Sequence, residues 1–324
     1  MSLAWDLVGE VSVSSATTQV DFSGLNFTSD DNLMIVADIN NSNSGSTAIA
    51  NRIFVNGDTT VTNYYSLRVL GYGASVLFSS ENANTISAQV QGDKSLAIVN
   101  IKMTQSGYFV YQSNQHRTYV SPSADFMAGS RHGTSTFTIS SITSLSVVSS
   151  EANGIGTGSN FKLYKFAGEV VADITVGTAT TSVDITGLSI GKDNEYTLVS
   201  DISNASGGTS DYLLRVNGTT SGYYDQGFYA TSTIYGGGRD ADAYYSTVTN
   251  ARSNVIYTPI KLTNSGHYTY QGKGTRNYGT SSVELINYYG TSTFTATSIT
   301  ALNIRASRTD GIGVGSRFQL IRMK

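Results

Sequence analysis

Few residues in this chain could do chemistry, and their spacing argues against most of it. There are three histidines, His116, His132 and His267, and no two of them stand at a metal-binding interval. An internal repeat aligns His267 with Tyr108 and His132 with Tyr289. A histidine that trades places with tyrosine reads as a half-buried aromatic or a surface residue. The carboxylates are stronger candidates. Asp21 is matched by Asp184, and Asp38 by Asp201. Two acids roughly 5 to 10 Å apart in a cleft would suit glycoside hydrolysis. Both recur in both halves, however, and an Asp beside a turn commonly caps it through its side chain. The stretch DINNSNSG (38–45) is rich in oxygen ligands for calcium, but it lacks the glycine and glutamate positions of an EF-hand. No Ser-His-Asp order and no G-x-S-x-G elbow occurs. The chain has no cysteine, which removes thiolate catalysis, disulfides and Cys-ligated zinc. The expectation is a protein without catalytic residues, cofactor or metal.

One motif still needs an explanation. NGIGTGSNFKLYKF (153–166) closes the first half, and DGIGVGSRFQLIRMK (310–324) closes the second. Glycines alternate at Gly154, Gly156 and Gly158, and again at Gly311, Gly313 and Gly315. A phosphate loop would need a helix after it, whose N-terminus holds the anion. Here an alternating tail comes next instead, with Phe161 or Phe318 at its start. The glycines are therefore expected to allow positive φ or close strand approach, with Phe161 and Phe318 facing a core.

The elements that carry these residues have period two. Segments such as TTQVDFSG, NLMIVADIN, SLAIVNIKM and NFKLYKF alternate, with Asn- and Gly-rich turns between them. No run has a helical period with caps. Matched segments recur in constant order: ATTQVDFSGLNF with ATTSVDITGLSI, KMTQSGYFVYQ with KLTNSGHYTYQ, GTSTFTISSITSL with GTSTFTATSITAL. This is a duplicated unit, too long for a solenoid repeat. The reading is an all-β chain of two tandem, duplicated antiparallel β-sandwiches, jelly-roll-like and with eight to ten strands each. Their spans are 1–167, including an N-terminal arm, and 168–324.

Composition narrows function further. Charged residues make up 13% of the 324, and the net charge is −3. That is well below the roughly 25% usual for soluble domains, and it leaves no basic footprint for nucleic acid or anionic lipid. No stretch approaches the roughly 18 apolar residues of a spanning helix. The N-terminus has no basic start and no apolar run of signal-peptide length.

The two halves differ in one systematic way. Residues 1–166 hold 7 Tyr and 9 Phe, whereas the remainder holds 14 Tyr and 3 Phe. The second half also carries most of the arginines. Tyr and Arg are favoured where a surface is wet at some times and covered at others. The tyrosine pairs Tyr223–Tyr224, Tyr244–Tyr245 and Tyr288–Tyr289 should each place one ring outward. With Arg239 and Arg276 they form the candidate surface for self-association or for a glycan.

A Cys-free β unit rich in Ser, Thr, Gly, Asn and Tyr and ending in GIGTGSNFKLYKF resembles domains of tailed-bacteriophage virion structural proteins, of the head-decoration (cement) or fibre type. The resemblance implies a non-enzymatic protein of the head exterior, made in the host cytoplasm. Its partners would be the major capsid protein and other copies of itself, a trimer being favoured. An apolar N-terminal arm with one tryptophan can anchor in a groove or add a strand to a sheet edge, so Leu3, Trp5, Leu7 and Val8 are the candidates for contact with the capsid. The alternative within the same family is a tail or fibre module that reads host carbohydrate through its tyrosine faces.

Overall fold

A computed structural model describes residues 5–42, 49–72, 75–81, 84–89, 94–118, 127–166, 168–230, 234–240, 244–248, 253–277 and 283–323. Two compact units emerge, one formed by Trp5–Ala167 and the other by Gly168–Gly279 with Glu284–Lys324. Among the described residues the only helical turn is the 3-10 turn Val61–Asn63.

The first unit contains β1 (Trp5–Ser12), β2 (Gln19–Phe22), β3 (Asn32–Asn40), β4 (Ile49–Val55), β5 (Tyr64–Tyr72) and β6 (Ser75–Glu81). It continues with β7 (Thr85–Gln89), β8 (Lys94–Met103), β9 (Tyr108–Thr118), β10 (Met127–Thr138), β11 (Leu145–Ser149) and β12 (Asn160–Phe166). The second unit repeats these as β13 (Glu169–Thr175), β14 (Ser182–Ile190), β15 (Glu195–Ser203), β16 (Ser210–Val216), β17 (Tyr223–Ala230) and β18 (Ile234–Asp240). Its remaining strands are β19 (Tyr244–Val248), β20 (Ser253–Leu262), β21 (His267–Asn277), β22 (Val283–Thr295), β23 (Ile299–Ala306) and β24 (Arg317–Met323).

Each unit is a pair of antiparallel sheets. In the first, an eight-stranded sheet runs β1-β12-β3-β8-β9-β10-β5-β6 and a four-stranded sheet runs β2-β11-β4-β7. The second has β13-β24-β15-β20-β21-β22-β17-β18 and β14-β23-β16-β19, the same order strand for strand. The chain passes from one sheet to the other repeatedly, and inner strands such as β3 bury alternate residues against the facing sheet. In β3, Leu33, Ile35, Ala37 and Ile39 point inward, and they share a core with Ile53, Val55 and Val147 of the smaller sheet. In the second unit Leu198 and Ile202 of β15 meet Leu214, Leu302 and Ile304 in the same way. Complete burial of each such side chain contributes about 1.5–3 kcal/mol.

Among the described residues each unit has twelve strands, more than the eight to ten expected. The additional ones are β4 to β6, and in β4 and β5 polar groups face inward. Asn51 and Ser66 are buried and Leu67 is on the opposite face of β5, so the apolar alternation is scrambled.

Two equivalent turns carry the chain from the smaller sheet to the larger one, after β4 and after β16. Asn56 and Asn217 have φ of 53° each and precede Gly57 and Gly218, also at positive φ. The i to i+3 hydrogen bonds, Asp58 N to Val55 O (3.1 Å) and Thr219 N to Val216 O (3.0 Å), close them. Positive φ at both central positions defines the type I′ turn that Asn-Gly favours. Tyr64 and Tyr223 staple these turns from inside. The Tyr223 hydroxyl accepts from Val216 N (3.0 Å) and donates to Thr219 O (3.0 Å). The Tyr64 hydroxyl does the same with Val55 N (3.2 Å) and Asp58 O (3.0 Å).

Candidate binding faces

The paired glycine motifs are structural. Each precedes a last strand, β12 or β24, and no helix comes after it. Gly156 N donates to Asn40 O (2.7 Å) and Gly158 N to Val13 O (2.8 Å); Gly313 and Gly315 repeat this with Ser203 O and Val176 O. A Cβ on Gly156 would lie 3.0 Å from Asn40 O, and one on Gly313 2.9 Å from Ser203 O; Gly158 and Gly315 have φ of +83° and +82°. Gly154 and Gly311 are equally crowded, against Ser149 and Ala306. The loop thus ties the end of the first strand to the end of the third. It delivers Phe161 and Phe318 to the core, where both are fully buried.

The candidate acids are kept apart by the fold. Asp21 lies in β2 between inward Val20 and Phe22, so it faces outward from the smaller sheet. Asp38 lies in β3 between inward Ala37 and Ile39, so it faces outward from the larger one. The two carboxylates are on opposite outer faces of one sandwich and cannot flank a common substrate bond. Asp21 instead accepts from Ser146 Oγ (2.6 Å) and Gln19 Nε2 (2.7 Å), and Asp184 from Asn303 Nδ2 (2.7 Å). Asp201 is buried. His132 is also buried, with Nε2 3.1 Å from Ser130 Oγ; His267 Nδ1 lies 3.0 Å from Ser292 O; His116 is exposed on β9. Among the described residues no three His, Asp or Glu side chains could hold a metal ion. Residues 43–45 of the oxygen-rich stretch lie outside the described residues. Nor is any helix among them long and apolar enough to cross a membrane.

The tyrosine pairs divide as their strands dictate. Tyr224 and Tyr289 are 53% and 49% exposed. Register places Tyr224 opposite Thr291 and Gln226 opposite Tyr289, so all four share the outer face of β17 and β22. With Asp225 and Gly290 they line a shallow concavity of about 520 Å³. Asp225 is buried beneath it. Tyr223 and Tyr245 leave the candidate surface, because both are buried in the core. Tyr288 is half-buried, its ring lying across Gly227 where a Cβ would come within 2.2 Å. The side chains of Arg239, Tyr244 and Arg276 lie outside the described residues.

The expected N-terminal arm is largely strand. Leu3 lies outside the described residues. Trp5 opens β1 and packs edge-on against Phe166, centroids 4.9 Å apart, so its ring is occupied within the unit. Leu7 and Val8 do project, 52% and 41% exposed. A β-bulge explains the pair. Leu7 pairs with Tyr164 and Gly9 with Leu163, leaving Val8 as the extra residue, so alternation fails and two successive side chains reach solvent. Sequence reasoning missed that β13 carries the same bulge. Val170 pairs with Ile321 and Ala172 with Leu320, with Val171 extra. Val170 and Val171 are 50% and 41% exposed. Both β1 and β13 are edge strands of their sheets.

No family model and no curated protein matches the chain. Among solved structures, domains LG4-5 of the mouse laminin alpha1 chain align at 8% identity over 99% of this chain and 92% of that one, with a TM-score of 0.18. A monomeric dehydratase domain from a trans-AT polyketide synthase split module aligns at 6% identity over 80% and 98%, with a TM-score of 0.16. The class defined by fold and faces is an antiparallel all-β protein of two sandwich-like halves.

Proposed function

We propose that this chain is a non-enzymatic structural protein of a virion exterior, a decoration protein that clings to the outer shell through its edge strands and turns the tyrosine face of its second unit to the surroundings. The observation that carries the reading is the twinned edge. Two units that differ in their tyrosine content each keep a bulged edge strand with two adjacent, exposed aliphatic side chains. Like surfaces in tandem suit a partner that itself repeats, as the subunits of a shell do, and weak contacts gain strength by acting together. The bulge obstructs simple ladder extension at an edge, which points to side-chain contact rather than strand addition.

Reconstitution onto heads stripped of the protein tests this. Leu7→Thr with Val8→Thr, and separately Val170→Thr with Val171→Thr, keep the strand propensity and remove the apolar contact. Each double substitution should weaken occupancy roughly tenfold or more, since burial of even one such side chain is worth more than the 1.4 kcal/mol of a tenfold change. Undiminished occupancy in both would overturn the reading.

A further inference from the structure

We propose that the concavity between Tyr224 and Tyr289 is a binding site for a neutral carbohydrate. This rests on the reading of the second unit as the outward-facing one and specifies what that face takes. The duplication supplies an internal control. Matching register equates Tyr224, Gln226, Tyr289 and Thr291 with Tyr65, Leu67, His132 and Thr134 of the first unit. There Leu67, His132 and Thr134 are buried and Tyr65 is half-buried. In the second unit the same four positions carry two phenols, an amide and a hydroxyl, all exposed. Where the first unit has a covered patch, the second has an open one, with Gln for Leu and Tyr for His.

That chemistry selects the ligand. The phenol rings offer apolar faces with polar tips, suited to the C–H face of a pyranose. Gln226 can both donate and accept, as can the Thr291 hydroxyl, so both can meet sugar hydroxyls. Among the described lining residues the one charged group, Asp225, is buried under the surface, so the described wall presents no charge to match an ionic ligand. The volume of about 520 Å³ falls within the roughly 300–1,000 Å³ of small-molecule sites.

The test is a glycan array carrying neutral hexose and N-acetylhexosamine oligomers beside their sialylated counterparts, probed with the full chain, followed by titration of the best neutral oligomer. Retention of neutral oligomers is expected, with Tyr224→Ala and Tyr289→Ala each weakening binding at least tenfold and Gln226→Ala severalfold. Both tyrosines are surface residues, and an unchanged circular dichroism spectrum would show that the variants fold. No retention of any neutral glycan, preference for the sialylated forms, or binding that survives Tyr224→Ala/Tyr289→Ala would overturn the proposal. The edge-strand variants separate it from attachment. Sugar binding without head occupancy sinks only the attachment reading, and head occupancy without sugar binding sinks only this one.

Discussion

Replacing Asn56 by alanine isolates what one turn contributes. Its φ of 53° is left-handed, and an alanine there costs about 1–2 kcal/mol. Its side chain also bridges two loops. Oδ1 accepts from Thr143 N (2.7 Å), Thr143 Oγ1 (3.1 Å) and Ser144 N (3.3 Å), and Nδ2 donates to Ser141 O (2.7 Å). Each such bond nets about 0.5–1.5 kcal/mol. The site is exposed, so water recovers part of this, and the bonds together are worth about 1–2 kcal/mol. Asn56→Ala should therefore destabilise the first unit by about 2–4 kcal/mol. Asn56→Gly keeps the permitted φ and should lose only about 1–2 kcal/mol. The assay is urea denaturation followed by fluorescence of Trp5, the chain's single tryptophan, whose ring sits against Phe166 in the same unit. With a slope of about 2 kcal/mol per molar urea, alanine moves the midpoint down by about 1–2 M and glycine by about half as much. A midpoint unmoved by alanine, or a glycine variant as weak as the alanine one, would refute the reasoning. Asn217 makes the same four bonds, to Thr300, Ala301 and Ser298.

Two further outcomes are expected from the core. A Cβ at Gly290 would sit 2.2 Å from the Tyr270 ring, and one at Gly133 2.2 Å from the Tyr111 ring, so Gly290→Ala and Gly133→Ala should each cost about 1–3 kcal/mol by overpacking and lower the melting temperature. Burial pushes the Tyr64, Tyr212, Tyr245 and Tyr268 hydroxyls well above the ordinary phenol range. The unfolded chain then releases phenolic protons before the folded one. The stability these groups contribute is intact below about pH 10 and declines as pH rises beyond it. A pH titration of phenolate absorbance should show these rings ionising in one step with loss of the fold; gradual ionisation in an intact fold would contradict it.

Much of this architecture is legible in the residues. Alternation in segments such as NLMIVADIN and the paired GIGTGSN and GIGVGSR motifs lead to two all-β units with glycines at strand crossings, because core burial and backbone crowding are recorded locally. What escapes is set by partners distant in sequence. Strands β4 and β5 are obscured where Asn51 and Ser66 turn inward. Which ring of Tyr223–Tyr224 faces out depends on its register with β22. The bulge that exposes Val8 and Val171 exists only relative to β12 and β24, so no local pattern announces it.

The first and last strands of each unit are hydrogen-bonded neighbours: Trp5 faces Phe166, and Glu169 faces Arg322. The two ends of a unit therefore leave from the same extremity of one ladder. Tension drawn through them would act across the rungs in turn, peeling the outermost strand away as a zip opens, instead of loading every rung at once in shear. In a pulling experiment such a unit should yield early and in small steps, and a single high-force rupture would contradict that geometry. Whatever mechanical endurance such a unit has would then have to come from loads applied along its sides, with its ends left unloaded.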